Sequence, residues 1–234
     1  MRDGDAVRGT GRREPVITID GPAGAGKSSA ARELARRLGF RLIDTGAMYR
    51  AAAWAVREAG VTPVEGPALI ALLDRTVVEL ARDRVLVNGL DVTREIRTPE
   101  IGELTSTLSA LKPVRDKLTP LQRALAAGGG VVLEGRDTGS VVCPDAEVKF
   151  YLHAEPEARA RRRQQELLAR GVRADLQAVR EEVARRDRQD MGRSLAPAVK
   201  PEGAVVVDST DLEPDEVVRR LLEAVDRARC CTTS

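Results

Sequence analysis

Aromatic residues are scarce in this chain of 234 residues, which has two Phe, two Tyr and one Trp. Its core must therefore rest on Ala, Val, Leu and Ile, and a surface that stacks successive nucleic-acid bases on aromatic rings is disfavoured. With a single histidine, His153, a structural zinc site is not expected. The three cysteines are Cys143 and the adjacent Cys230 and Cys231, not the even, spaced framework of a disulfide scaffold, and they suit a reducing cytoplasm. No uncharged apolar run approaches the roughly 20 residues of a membrane helix. Residues 1–14 carry charges and glycines but no hydrophobic signal segment, so a frayed tail on a cytoplasmic protein is expected. Lysine is also rare: of 38 basic side chains five are Lys and 33 are Arg. That imbalance reflects either a compositional bias or repeated recognition of phosphate, for which guanidinium offers a flat bidentate fork.

Hydrophobic residues make up 42% of the chain and charged residues 32%, with a net charge of +2, which is an ordinary globular balance. The length fits one medium-sized domain carrying an insertion. Val16 to Ile19 reads as a strand ending at Asp20-Gly21, and Ser28 to Leu38 as a helix with Ala31, Leu34, Ala35 and Leu38 on one face. A strand over residues 40–43 and a helix over residues 47–59 follow, an order that predicts a parallel sheet flanked by helices. The rhythm breaks between Val61 and Thr105, where short apolar runs surround Asn88-Gly89, a hairpin dipeptide, and imply a small antiparallel insertion. Thr98-Pro99-Glu100 starts a helix, and another is expected over residues 114–127. Strands at 131–134, 147–153 and 204–208 bring the parallel set to five. Two charged helices, at 156–170 and 175–190, lie between the last two, and Pro214 to Ala228 closes the chain as a helix.

Gly21-Pro22-Ala23-Gly24-Ala25-Gly26-Lys27-Ser28 fits G-x-x-x-x-G-K-[ST] at every fixed position and lies between a strand and a helix. Such a loop turns successive backbone N–H groups toward phosphate oxygens, and Lys27 reaches the β- and γ-phosphates. Ser28 or Ser29 supplies a hydroxyl toward Mg²⁺, directly or through water. A guanine-reading Asn-Lys-x-Asp is absent, which disfavours a small GTPase. Two further motifs follow strand carboxyl ends, where open α/β sheets bind ligands: Asp44-Thr45-Gly46-Ala47-Met48-Tyr49-Arg50 and Glu134-Gly135-Arg136-Asp137-Thr138-Gly139.

With Asp-Val-Thr-Arg-Glu-Ile-Arg-Thr at 91–98 and Pro-Asp-Ala-Glu-Val-Lys at 144–149, these motifs resemble the bacterial cytidylate kinases, a family of nucleoside monophosphate kinases, from about Pro15 to Ala228. The resemblance implies a P-loop core at 15–62 and 106–230, a lid at about 156–173, a monophosphate-binding insertion at 63–105 and a flexible tail at 1–14. It implies transfer of the γ-phosphoryl group of ATP to CMP or dCMP, with Mg²⁺ and no nucleic-acid partner, by a monomer. Gly21 to Ser29 would hold ATP. Arg50, Arg136 and Arg193 would hold the acceptor phosphate, Asp137 and Arg115 would read cytosine with help from Ser106, and Arg186 and Asp190 would hold the sugar. Thr45 and Tyr49 fall in the same acceptor region, although Tyr49 either packs on the nucleotide or fills the core. Arg159, Arg162 and Arg163 match lid positions that close over the triphosphate. Lys27, Arg136, Arg159, Arg162, Arg163 and Arg193 thus form the expected catalytic set. Asp44 reads as a helix cap or a support for the P-loop serine. Related kinases acting on UMP or AMP remain the alternative, and an arginine-rich nucleic-acid binder is disfavoured by the near-neutral charge.

Overall fold

The computed structural model describes residues 14–81, 83–169 and 171–231. The expected tail, apart from Glu14, and the side chain of Cys231 lie outside the described residues. β1 (Val16–Asp20) is buried along its whole length because both faces of the sheet are covered by helices. It pairs in parallel with β6 (Val131–Glu134) and β7 (Val148–His153). β2 (Arg41–Asp44) and β8 (Val205–Asp208) extend the sheet to the order β2-β6-β1-β7-β8, with every pairing parallel. The five strands read from the sequence are all present.

α1 (Lys27–Leu38) starts at Gly26, whose φ of 87° suits glycine, and stops at Gly39, φ 69°. It buries Ala30, Ala31, Leu34 and Ala35 against Ile17, Ile19 and Phe150, and α8 (Pro214–Cys231) adds Val217, Leu221 and Val225 to that cluster. A fully buried residue such as Phe150 contributes about 1.5–3 kcal/mol. α2 (Thr45–Glu58) leaves β2 without a connecting loop, because the Asp44 carboxylate accepts from Ala47 N at 2.7 Å and caps the first turn.

The insertion forms an antiparallel sheet from β3 (Val78–Ala81), β4 (Arg84–Val87) and β5 (Leu90–Asp91). Asn88 and Gly89 turn it with φ values of 50° and 80°, the left-handed pair that the hairpin dipeptide favours. Within the insertion also lie α3 (Pro67–Asp74) and a 3₁₀ turn at Glu95–Arg97, neither of which the sequence reading identified. α4 (Pro99–Leu108) begins at the Thr98 cap and α5 (Lys112–Ala126) follows. Leu69, Val85, Ile96, Ile101 and Leu118 join Met48 and Ala52 of α2 in one buried cluster, so the insertion shares its core with the helix behind β2. The remaining pair, α6 (Pro156–Ala169) and α7 (Leu176–Met191), packs through Ala160, Leu167, Val179 and Val183.

Candidate active site

Three chain segments leave the carboxyl ends of adjacent strands and meet in one cleft: the P-loop after β1, the start of α2 after β2, and residues 135–137 after β6. α4, α5, α6 and α7 supply its outer walls. Seven cationic side chains and four carboxylates line it, so positive charge prevails in the cleft.

On the P-loop side, the Lys27 ammonium donates to the carbonyl of Pro22 at 2.7 Å. Burial, with repulsion from Arg136, pushes Lys27 down to about 7. Ser28 Oγ donates to Glu134 Oε1 at 2.9 Å, and Ser29 lines the cleft beside it. Glu134, the last residue of β6, is held above its ordinary range by burial and by the nearby Asp44 carboxylate. Gly21 and Ala25 are buried and, with Pro22, stand outside the lining. Gly21 is tightly placed: at its φ of 147° a β-carbon would lie 1.9 Å from the carbonyl oxygen of Leu152.

Asp44 organises the second segment. Besides capping α2, it receives Arg50 Nη2 at 3.4 Å and Arg97 Nη2 at 3.1 Å. Burial works to raise its pKa, but the two guanidinium groups outweigh that and hold it low. Support of the P-loop serine falls instead to Glu134. Arg50 is itself lowered, by burial above all, and lines the cleft beside Thr45 and Tyr49. Thr45 Oγ1 donates to the carbonyl of Glu134 at 2.7 Å, fixing β2 to β6 at the cleft floor.

The third segment carries Arg136 and Asp137. Asp137 pairs with Arg115 of α5, both side chains being less than a tenth exposed. Arg115 also donates to the carbonyl of Ser109 at 3.1 Å and lies over the Tyr49 ring, 5.8 Å from its centroid. The Tyr49 hydroxyl is pushed up to about 12, chiefly by burial. Ser106 lines the same wall and donates to Gly102 O at 3.4 Å. Arg136 Nε donates to Asp190 Oδ2 at 3.0 Å, while Asp190 Oδ1 accepts from Arg193. Burial opposes the charge on Arg136, but Asp190 and Glu134 carry its pKa above the ordinary value. Burial lowers both Arg186 and Arg193.

The three arginines of α6 diverge. Arg163 lines the cleft near Glu166. Arg159 is buried, bonded to the carbonyls of Ala154 at 2.9 Å and Ala23 at 3.1 Å and paired with Asp187 at 2.6 Å. Arg162 donates to Ser209 Oγ at 3.0 Å and to the carbonyls of Ser209 and Thr210, on the loop after β8. Neither Arg159 nor Arg162 is part of the lining. The sequence reading gave no role to Glu134, Arg97, Ser109 or Asp187, although Glu134 and Arg97 lie within the motifs at 134–139 and 91–98. Glu134 also carried a signal of its own, as an acid ending a strand immediately before a glycine.

A family model described as cytidylate kinase matches residues 17–227. A cytidylate kinase of Geobacter sp. (strain M21) is 52% identical over 214 residues, which cover 90% of this chain and 92% of that protein. A cytidylate kinase of Symbiobacterium thermophilum is 48% identical over 217 residues, covering 91% and 96% respectively. Among solved structures, an uncharacterized protein from Eubacterium ventriosum shares the fold with a TM-score of 0.50 at 12% identity, covering 91% of this chain and 99% of that one.

Proposed function

The chain belongs to the cytidylate kinase family, and from that premise we propose that its cleft aligns the γ-phosphoryl group of ATP with the phosphate of CMP or dCMP. It is a phosphotransferase of the nucleoside monophosphate kinase class. Phosphoryl transfer asks a protein mainly to hold two polyanions in line and to offset the charge that develops on the moving group. Gly21 to Ser29 would bind the triphosphate through backbone N–H groups, and Lys27 would leave the Pro22 carbonyl for the phosphate oxygens. Arg50, Arg136 and Arg193 would hold the acceptor phosphate. Each is already paired with a carboxylate, Asp44 or Asp190, that fixes its direction without neutralising the whole cluster. Arg186 and Asp190 would hold the sugar. Arg163 would reach the triphosphate from the lid, whereas Arg159 and Arg162 would act by anchoring α6 to the P-loop and to the loop after β8. The acceptor is already an anion, so no general base is required.

The ordered Arg115–Asp137 pair is the observation that carries the choice of base. Cytosine offers an amino donor at N4 and acceptors at N3 and O2. A carboxylate and a guanidinium side by side match that edge. Uracil has a carbonyl at C4 and an N–H at N3, and would leave buried groups facing their own kind. Asp137→Ala should lower the preference for CMP over UMP, measured as the ratio of kcat/KM values, by roughly 1–3 kcal/mol. An unchanged ratio would mean that the base is read elsewhere.

The residues suit Mg²⁺. A hard cation prefers oxygen ligands, and the Ser28 hydroxyl stands against Glu134, a carboxylate whose pKa is raised by burial and by the nearby Asp44. Ser28 would hold the ion, with Glu134 acting directly or through water. A bound Mg²⁺ would supply charge that offsets the phosphate oxygens. The described residues contain no helix long and apolar enough to cross a membrane.

A further inference from the structure

Asp20, the last residue of β1, is fully buried and forms three hydrogen bonds to a single turn of chain. Its Oδ1 accepts from the backbone N–H and the hydroxyl of Thr138, each at 2.8 Å, and its Oδ2 from the backbone N–H of Gly139 at 2.7 Å. Thr138 opens the π-helical turn Thr138–Val142, whose first N–H groups have no partner within the turn. One residue earlier on β1, the carbonyl of Ile19 accepts from Gly135 N at 3.1 Å. Arg136 and Asp137 therefore form a two-residue arch whose feet rest on consecutive residues of β1. One foot is a backbone bond. The other is the Asp20 side chain.

The feet have no slack. A β-carbon on Gly135 would come within 2.6 Å of both Thr138 Cγ2 and Thr45 Oγ1, and one on Gly139 within 2.6 Å of Thr18 Oγ1. The chain that leaves Asp20 in the other direction becomes the P-loop at Gly21. One carboxylate thus spans the backbone that would bind ATP and the arch that would bind the acceptor.

Resting on the function proposed above, we propose that Asp20 is a positioning residue for the acceptor site, holding Arg136 and Asp137 in register with the P-loop. Burial raises the Asp20 pKa even though all three hydrogen bonds favour the anion, as expected for a carboxylate placed among dipoles with no cation bonded to it. The geometry predicts a selective effect. Loosening the second foot moves Asp137 against Arg115 and Arg136 against Asp190, while the P-loop keeps its own backbone.

Asp20→Asn is the informative change, because an amide accepts through one oxygen and turns an NH₂ toward a backbone N–H. In steady-state assays with CMP and UMP, the variant should show a KM for CMP raised on the order of tenfold. Its CMP-over-UMP ratio of kcat/KM should fall by a similar factor, and its KM for ATP should stay within about twofold. If Asp20→Asn does not fold, Thr138→Ala removes one of the three donors and should shift the same quantities in the same direction, by a smaller factor. Unchanged discrimination in whichever variant folds, or equal rises in both KM values, would overturn the proposal and leave Asp20 a structural residue. A wild type that uses UMP as well as CMP would overturn this inference together with the function it rests on, so the two failures are told apart by the wild-type arm.

Discussion

Lys27 is buried and donates to a carbonyl, and the carboxylates that act on it, Glu134, Asp20 and Asp190, do not offset the cost of that burial. Its pKa near 7 in the free protein means that at pH 8 most of the molecules carry the neutral amine. A bound triphosphate supplies the missing negative charge and restores the proton, so ATP binding at pH 8 should take up a proton at Lys27. Calorimetry in buffers of different ionisation enthalpy measures that uptake. Lys27→Ala should lose it, and should lose turnover while keeping its thermal midpoint; an equal uptake in both proteins would show that the proton goes elsewhere. Lys27 was visible in the sequence because its motif has fixed spacing. Arg97 and Asp20 were not, since each acts through a partner more than 50 residues away, Asp44 in one case and Thr138 in the other.

At the scale of elements, α6 and α7 are joined to the core through buried polar contacts more than through apolar packing. Arg159 touches the P-loop carbonyl of Ala23 and the Asp187 carboxylate of α7, so the root of the expected lid bears directly on the triphosphate loop. Asp187→Ala would leave a guanidinium buried without its counter-ion, and removal of one partner from such a pair costs about 3–5 kcal/mol. Urea unfolding checks this: a loss well under 1 kcal/mol would mean that solvent already reaches Arg159. Element boundaries were well legible where caps spoke, as at Thr98-Pro99 and Asn88-Gly89. α3 escaped because Pro67–Asp74 is eight residues long inside a stretch read by its strand-like runs. The divergence of Arg159, Arg162 and Arg163 also escaped, because positions i, i+3 and i+4 share one helix face and only packing decides which of them reaches the cleft.

Over the whole molecule, the arginines of the described residues include two distinct groups. One surrounds the cleft. The other lies on helix exteriors beside acids, as with Arg36 and Arg37 on Glu33 or Arg219 and Arg220 on Glu216. Such exposed pairs are screened by solvent and add little to stability, so this second group needs no functional cause. The parallel sheet, its five strands and the antiparallel insertion were readable from periodicity and turn residues. The sharing of one core between insertion and α2 was not, because apolar spacing shows which face is buried but not against what. The central claim is that this whole arrangement phosphorylates a cytosine nucleotide, and a panel of acceptors assayed by coupled ADP release tests it most directly. CMP and dCMP should be turned over with strong preference over UMP and AMP. Turnover of UMP or AMP equal to that of CMP would contradict it.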